Sequence, residues 1–169
     1  HELQQLDSSV LEIERSAGQI PKKISEIEQE VDVLRTRLGA NNSELQALKQ
    51  DANTLEGTVN EESAKHRHWK RRLSDIQSSR EHQARSREIE QGERHVRDLE
   101  EKLLELSQVV ETKEKEVADQ EAELRVKEAE VRSRVSELRS AQSAFREEAE
   151  KAQAGRDELA KRVPDRVLK

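Results

Sequence analysis

The chain has 169 residues, of which 40% are charged, 31% hydrophobic and 1% aromatic, with a formal net charge of −6. One Trp, one Phe and no Tyr are too little bulk for a compact globular core. The absence of Cys excludes a disulfide framework, a thiolate zinc site and a cysteine nucleophile within these residues.

Order must therefore come from a long, thin core, and the first arm supplies one. Alternating steps of three and four from Leu3 reach Leu6, Val10, Ile13, Ala17, Ile20, Ile24, Ile27, Val31, Leu34, Leu38 and Asn41. They continue through Leu45, Leu48, Ala52, Leu55, Val59, Glu62, His66, Trp69, Leu73 and Ile76. Only Asn41, Glu62 and His66 break the apolar run, and the phase never slips. A sustained 3.5-residue repeat predicts a left-handed coiled coil. Pro21 removes a backbone donor, so a kink or a helix restart is expected there. Residues 39–43 (Gly-Ala-Asn-Asn-Ser) read either as a weakened, kinked stretch or as a loop that would give a three-helix bundle. The unbroken heptad phase favours the continuous helix, with Asn41 as a register-setting polar residue.

The charge turns over near the middle of the chain. Between residues 63 and 87 eight Lys/Arg meet only Asp75 and Glu81, a net of +6, so the remainder carries −12. Ser78 with Glu81 fits a capping box. A second arm resumes with Ile89, Val96, Leu103, Val110, Val117, Leu124, Val131, Leu138, Phe145, Ala152 and Leu159, all spaced by sevens. Its companion positions are poorer: Gly92, Leu99, Leu106, Lys113, Gln120, Lys127, Arg134, Ala141, Glu148, Gly155 and Arg162. Pro164 ends the pattern.

In an antiparallel hairpin, facing residues have numbers with a constant sum. A turn centred on Ser79 makes that sum 158 and sets Trp69 opposite Ile89, Leu55 opposite Leu103 and Ile27 opposite Val131. The strong seams of the two arms coincide, which predicts an all-α, long antiparallel two-helix coiled-coil hairpin. Arm one covers about residues 3–77, the turn about 78–80 and arm two about 80–163, with a tail at 164–169.

On the other seam, Ile24, Val31, Leu38 and Leu45 face Arg134, Lys127, Gln120 and Lys113. Long stems that cover apolar side chains while their heads reach water are the plainer reading. The sharper one is a half-covered stripe for self-association, as in a homodimer. Elsewhere Glu90–Arg94, Glu93–Arg97, Glu111–Lys115, Glu128–Arg132, Glu130–Arg134 and Glu147–Lys151 have the spacing of stabilising pairs on one helix.

No Gly-rich phosphate loop, nucleophile–base pair or metal-ligand cluster appears, so the chain reads as a non-enzyme without a cofactor of its own. Of the five histidines, His66 and His82 could approach each other near the turn, whereas His66 and His68 lie on different helix faces. His1 with Glu2 reads as a tag remnant. No signal peptide is visible, and no apolar run nears the ~20 residues that span a bilayer. A cytoplasmic protein without membrane insertion follows. The candidate working surface is the basic tip: Lys65, Arg67, Trp69, Lys70, Arg71, Arg72, Arg80, Arg85 and Arg87. Such a cluster suits an acidic protein surface or phosphates of RNA or DNA. A solvated turn that simply tolerates charge is the competing reading, and Trp69 is expected to pack on Ile89 rather than to stack on a base.

Four segments carry a family resemblance: LQQLDSSVLEIERSAGQIPKKISEIEQEVDVLRTRL (3–38), WKRRLSDIQSSREHQARSREIE (69–90), RDLEEKLLELSQVVE (97–111) and the closing RDELAKRVPDRVLK (156–169). Together they resemble the bacterial family with an N-terminal coiled-coil hairpin and a C-terminal C4-type zinc ribbon. The more specific marks are Ile20-Pro21, the turn Ser78-Ser79-Arg80-Glu81-His82 and the ELAKRVP close. The resemblance implies that this chain is the coiled-coil part, with zinc expected only in a ribbon that would follow it. It implies a bacterial adaptor linked to an alternative sigma factor, to flagellar or type III secretion components, or to RNA.

Overall fold

A computed structural model describes residues 2–162, with side chains from residue 4 onward. The readings placed on His1, on the side chain of Leu3 and on Pro164 with the rest of the closing tail lie outside these residues. Helix α1 spans Glu2–Arg72, a 3₁₀ turn spans Leu73–Asp75, and helix α2 spans Ser79–Arg162. Among the described residues there is no strand. The fold is the antiparallel helical hairpin that the two heptad patterns predict.

Helix α1 runs unbroken through Pro21 and through residues 39–43, so the chain is not a three-helix bundle. At Pro21 the helix forgoes one hydrogen bond, yet Ile20 beside it is buried to 4% exposure and holds the turn by packing. At 39–43 the polar side chains serve the helix rather than stop it. The Ser43 hydroxyl donates to the Gly39 carbonyl one turn back (3.1 Å) instead of capping a new helix. The Asn41 amide donates to Gln120 Oε1 (2.8 Å) and its oxygen accepts from Lys113 Nζ (2.9 Å), a polar rung that ties α1 to α2.

The first arm ends sooner than the periodicity suggests. The heptad runs on to Ile76, but α1 stops at Arg72. Leu73 and Ile76 are both half-buried, and a spacing of three suits a 3₁₀ turn as well as an α-helix. Ser78 then caps α2. Its Oγ accepts the Glu81 backbone N–H (3.4 Å), and its carbonyl accepts the His82 N–H (2.8 Å).

The contacts divide the chain into two compact units, His1–Thr36 with Ala122–Lys169, and Arg37–Glu121. In the first, Val31, Val131 and Val135 form the buried cluster, with Ile24, Ile27 and Leu124 packed against it. Val135 corrects the expected register. Arg134 was placed opposite Ile24, but its side chain is 61% exposed and pairs with Glu137 on its own helix (3.0 Å). Beyond Val131 the inward positions are Val135, Leu138, Ala141, Gln142, Phe145, Ala149 and Ala152, while Glu148 and Gly155 face solvent. Shifting that seam by one residue buries an isopropyl group in place of a guanidinium, which removes a desolvation penalty. In the second unit Leu45, Val59, Ile89, Val96 and Val117 are buried, and Gly92, Lys113 and Gln120 keep their companion positions.

Ion pairs join the helices with one arithmetic. In the first unit Asp7 pairs with Arg156 and Arg35 with Glu128 (2.7 Å); in the second Lys49 pairs with Glu114 (2.6 Å) and Lys70 with Glu93 (3.0 Å). All four pairs have numbers adding to 163, so one constant offset describes them in both units. Lys127–Glu30 (2.6 Å) and Lys113–Glu44 (2.7 Å) add to 157, within one of the seam sum. Of the pairs expected along one helix, Glu111–Lys115 forms (3.0 Å). Glu93, Glu128 and Arg134 take other partners.

The residues of the expected self-association stripe pack largely within the single chain. Val31 and Leu45 are buried within the single chain, and Ile24 and Leu38 are half-buried. The Lys113 side chain is only 13% exposed, its stem lying on the seam while its ammonium reaches Glu44. A snorkelling stem of this kind covers part of the seam.

Candidate functional site

The tip belongs wholly to the second unit. Lys70, Arg71 and Arg72 occupy the last turn of α1. Cations there meet the free carbonyls at the negative end of the helix, so this part of the cluster has a structural role of its own. Arg80 does not: it sits in the first turn of α2, where the exposed N–H groups already give a positive end. Glu81 is the residue that complements that terminus.

Trp69 stands at the centre. The Arg85 guanidinium lies over its ring, 4.4 Å from the centroid, and His68 meets it edge-on at 5.6 Å. Trp69, Arg72, Ile76 and Arg85 line one shallow cleft with the carboxylates Asp75, Glu81 and Glu88. A second cleft brings Trp69 beside Ile89 and His66, as the constant sum of 158 expects. His66 packs directly on Gly92, where a Cβ would collide with the imidazole, and its Nε2 lies 3.4 Å from Glu62 Oε2. Among the described residues no cluster of His, Cys, Asp and Glu forms a metal site.

The nine tip residues separate by partner. Lys70 reaches across to Glu93 at 3.0 Å, and that hydrogen bond holds the Glu93 carboxyl below its ordinary range. Arg85 pairs with Glu88 (2.6 Å), and Lys65 lies 3.8 Å from Glu62. The Arg71 Nε donates to the Arg67 carbonyl at 3.4 Å. Arg67, Arg72, Arg80 and Arg87 are exposed, and among the described residues none of them holds a carboxylate. Structure thus brings Trp69, Arg72 and Arg85 to one cleft and turns Lys65 and Lys70 toward internal acids. Glu62, Glu88 and Glu93 were not part of the sequence-based set. Spacing along one helix gave no signal for them.

The class so defined is a helical-hairpin coiled coil with a cationic turn. The family model for the CT398-like coiled coil hairpin domain matches residues 3–169, and the chain belongs to that family. Among solved structures, the 2.12 Å structure of CT398 from Chlamydia trachomatis is similar, with a TM-score of 0.83. It is 17% identical, and the match covers 99% of this chain and 71% of that one. At that identity the likeness shows the fold. A comparison with curated proteins gives no match.

Proposed function

We propose that this chain is a non-enzymatic bacterial adaptor whose basic tip binds an acidic surface on a protein partner. One observation carries the reading: among the described residues Arg67, Arg71, Arg72, Arg80 and Arg87 are exposed cations that hold no carboxylate, while Lys65, Lys70 and Arg85 each have one within reach. Arg80 strengthens it, because its place at a helix N-terminus works against stability and calls for another purpose. The family resemblance names the partner class: an alternative sigma factor, or a flagellar or type III secretion component. Among the described residues no helix is long and apolar enough to cross a membrane.

Binding of RNA or DNA through the same arginines is the second reading. Stacking of Arg85 on Trp69 occupies one face of the ring, which supports protein over single-stranded nucleic acid. Fluorescence anisotropy separates the two. Labelled single-stranded RNA and DNA are titrated at low salt with the wild type and with Arg67→Glu/Arg72→Glu/Arg80→Glu/Arg87→Glu. The adaptor reading expects no saturable binding by either. Tight binding that weakens steeply with salt and vanishes in the variant transfers the tip to the second reading.

A further inference from the structure

The apolar surface left exposed is not where the seam analysis placed it. Val33 on α1 is 67% exposed and Val126 on α2 is 60% exposed, and the two line one groove in the first unit with Leu34 and Ala122 between them. Neither valine lies on a seam, so packing of the hairpin does not require them to be apolar. An exposed Val in a helix also brings no propensity gain over the Lys, Glu or Arg that fill most outward positions here.

The margins of the groove are acidic. Glu30, Glu123 and Glu130 line it against a single ammonium, that of Lys127. Lys127 is already committed: its Nζ lies 2.6 Å from Glu30 Oε2, and that hydrogen bond raises its pKa. Outside the tip the chain carries −12, so the surrounding field has the same sign. A second copy laid groove to groove would bring these carboxylates against their own counterparts, and charge opposes that arrangement.

We infer that this groove docks a basic amphipathic helix of a partner protein, with its apolar side chains on Val33 and Val126 and its flanking Lys or Arg on Glu123 and Glu130. The groove between two antiparallel helices offers holes for the i, i+3, i+4, i+7 stripe of a third helix. The acidic margins fix the sign of the flanks. This surface is separate in the chain from the cationic tip and selects a partner segment of opposite charge.

The test uses two designed helical peptides that share a leucine stripe, one flanked by lysines and one by glutamates. Their binding to the whole chain is followed by fluorescence anisotropy at physiological salt. The lysine-flanked peptide is expected to bind saturably and at least about tenfold more tightly than its glutamate counterpart. Val33→Ser/Val126→Ser and, separately, Glu123→Lys/Glu130→Lys are each expected to weaken it about tenfold or more. Arg72→Glu/Arg80→Glu, at the tip, is expected not to. Circular dichroism checks that each variant keeps its helix content. Failure of the peptide to bind overturns the proposal, as does equal binding of both peptides or insensitivity to the valine pair. Concentration-dependent dimerisation by light scattering, abolished by Val33→Ser/Val126→Ser, overturns it in favour of a second copy.

Discussion

At Gly92 the helix gives up side-chain packing to seat a neighbour. Glycine in a helix interior is about 1 kcal/mol less favourable than alanine, yet among the described residues no glycine adopts a positive φ. The reason is steric: the His66 ring fills the space a Cβ would take. Gly18, Gly39, Gly57 and Gly155 have open space at that point and carry no such constraint. Gly92→Ala in the wild type therefore forces the imidazole outward, and the overpacking cancels or exceeds the propensity gain. In a His66→Ala background the same change is expected to stabilise by about 1 kcal/mol. Urea unfolding of the four chains gives the coupling. Equal effects of Gly92→Ala in both backgrounds would show that the ring does not set this position. Ser78 is the other single residue with a defined task. Its cap on α2 predicts a loss of about 1 kcal/mol for Ser78→Ala and a smaller loss for Ser78→Asp, read by the same unfolding curves.

Along the helices, the cross-links follow the antiparallel register, and their charge states follow from it. Hydrogen bonds donated to Glu44 and Glu30 raise the pKa of Lys113 and Lys127, and the bond to Glu128 does the same for Arg35. A raised cation pKa means that the stabilisation is complete below the ordinary lysine value and is lost as pH climbs through the raised one. Glu93, lowered by Lys70, gives the opposite: its contribution is complete above the ordinary carboxylate value and is lost as pH falls through the lowered one. Thermal melts across pH are expected to fall at both ends. Lys113→Met/Lys127→Met, which keeps the stems on the seam, is expected to flatten the alkaline fall above about pH 10.4. An alkaline fall unchanged in that variant would assign it to other groups. The element boundaries also show what periodicity reads and what it misses. Heptad phase carried α1 correctly through residues 39–43, because a loop there would have broken the step from Leu38 to Leu45. It overran at Ile76, because a 3₁₀ turn presents the same spacing of three. It misplaced Arg134, because a seam followed by sevens does not notice when the apolar residue moves one position, to Val135. The partners of Glu93 and Glu128 were hidden for a related reason: spacing along one helix says nothing about a cation on the other.

For the molecule as a whole, the two arms were legible because every seam residue reports the same fact, and the constant sum of 158 turned two patterns into one hairpin. Function is written far more thinly. The tip is nine residues in 169, and charge alone does not separate cations that pair within the chain from cations that do not. Only the contacts do so: Lys70 and Arg85 are engaged, while Arg67, Arg72, Arg80 and Arg87 are not. The apolar groove at Val33 and Val126 was invisible for the converse reason, since two lone valines off the seam look like noise until the hairpin brings them together. Site-specific photo-crosslinking tests the central claim most directly. A crosslinking residue is placed at position 72, 80 or 104 and the chain is mixed with a purified alternative sigma factor. Position 104, an exposed leucine elsewhere on α2, serves as the control. The account predicts a covalent product from 72 and 80 that disappears when Arg67 and Arg87 are replaced by Glu, and none from 104. A product from 104 alone, or products that ignore the charge reversal, would contradict it.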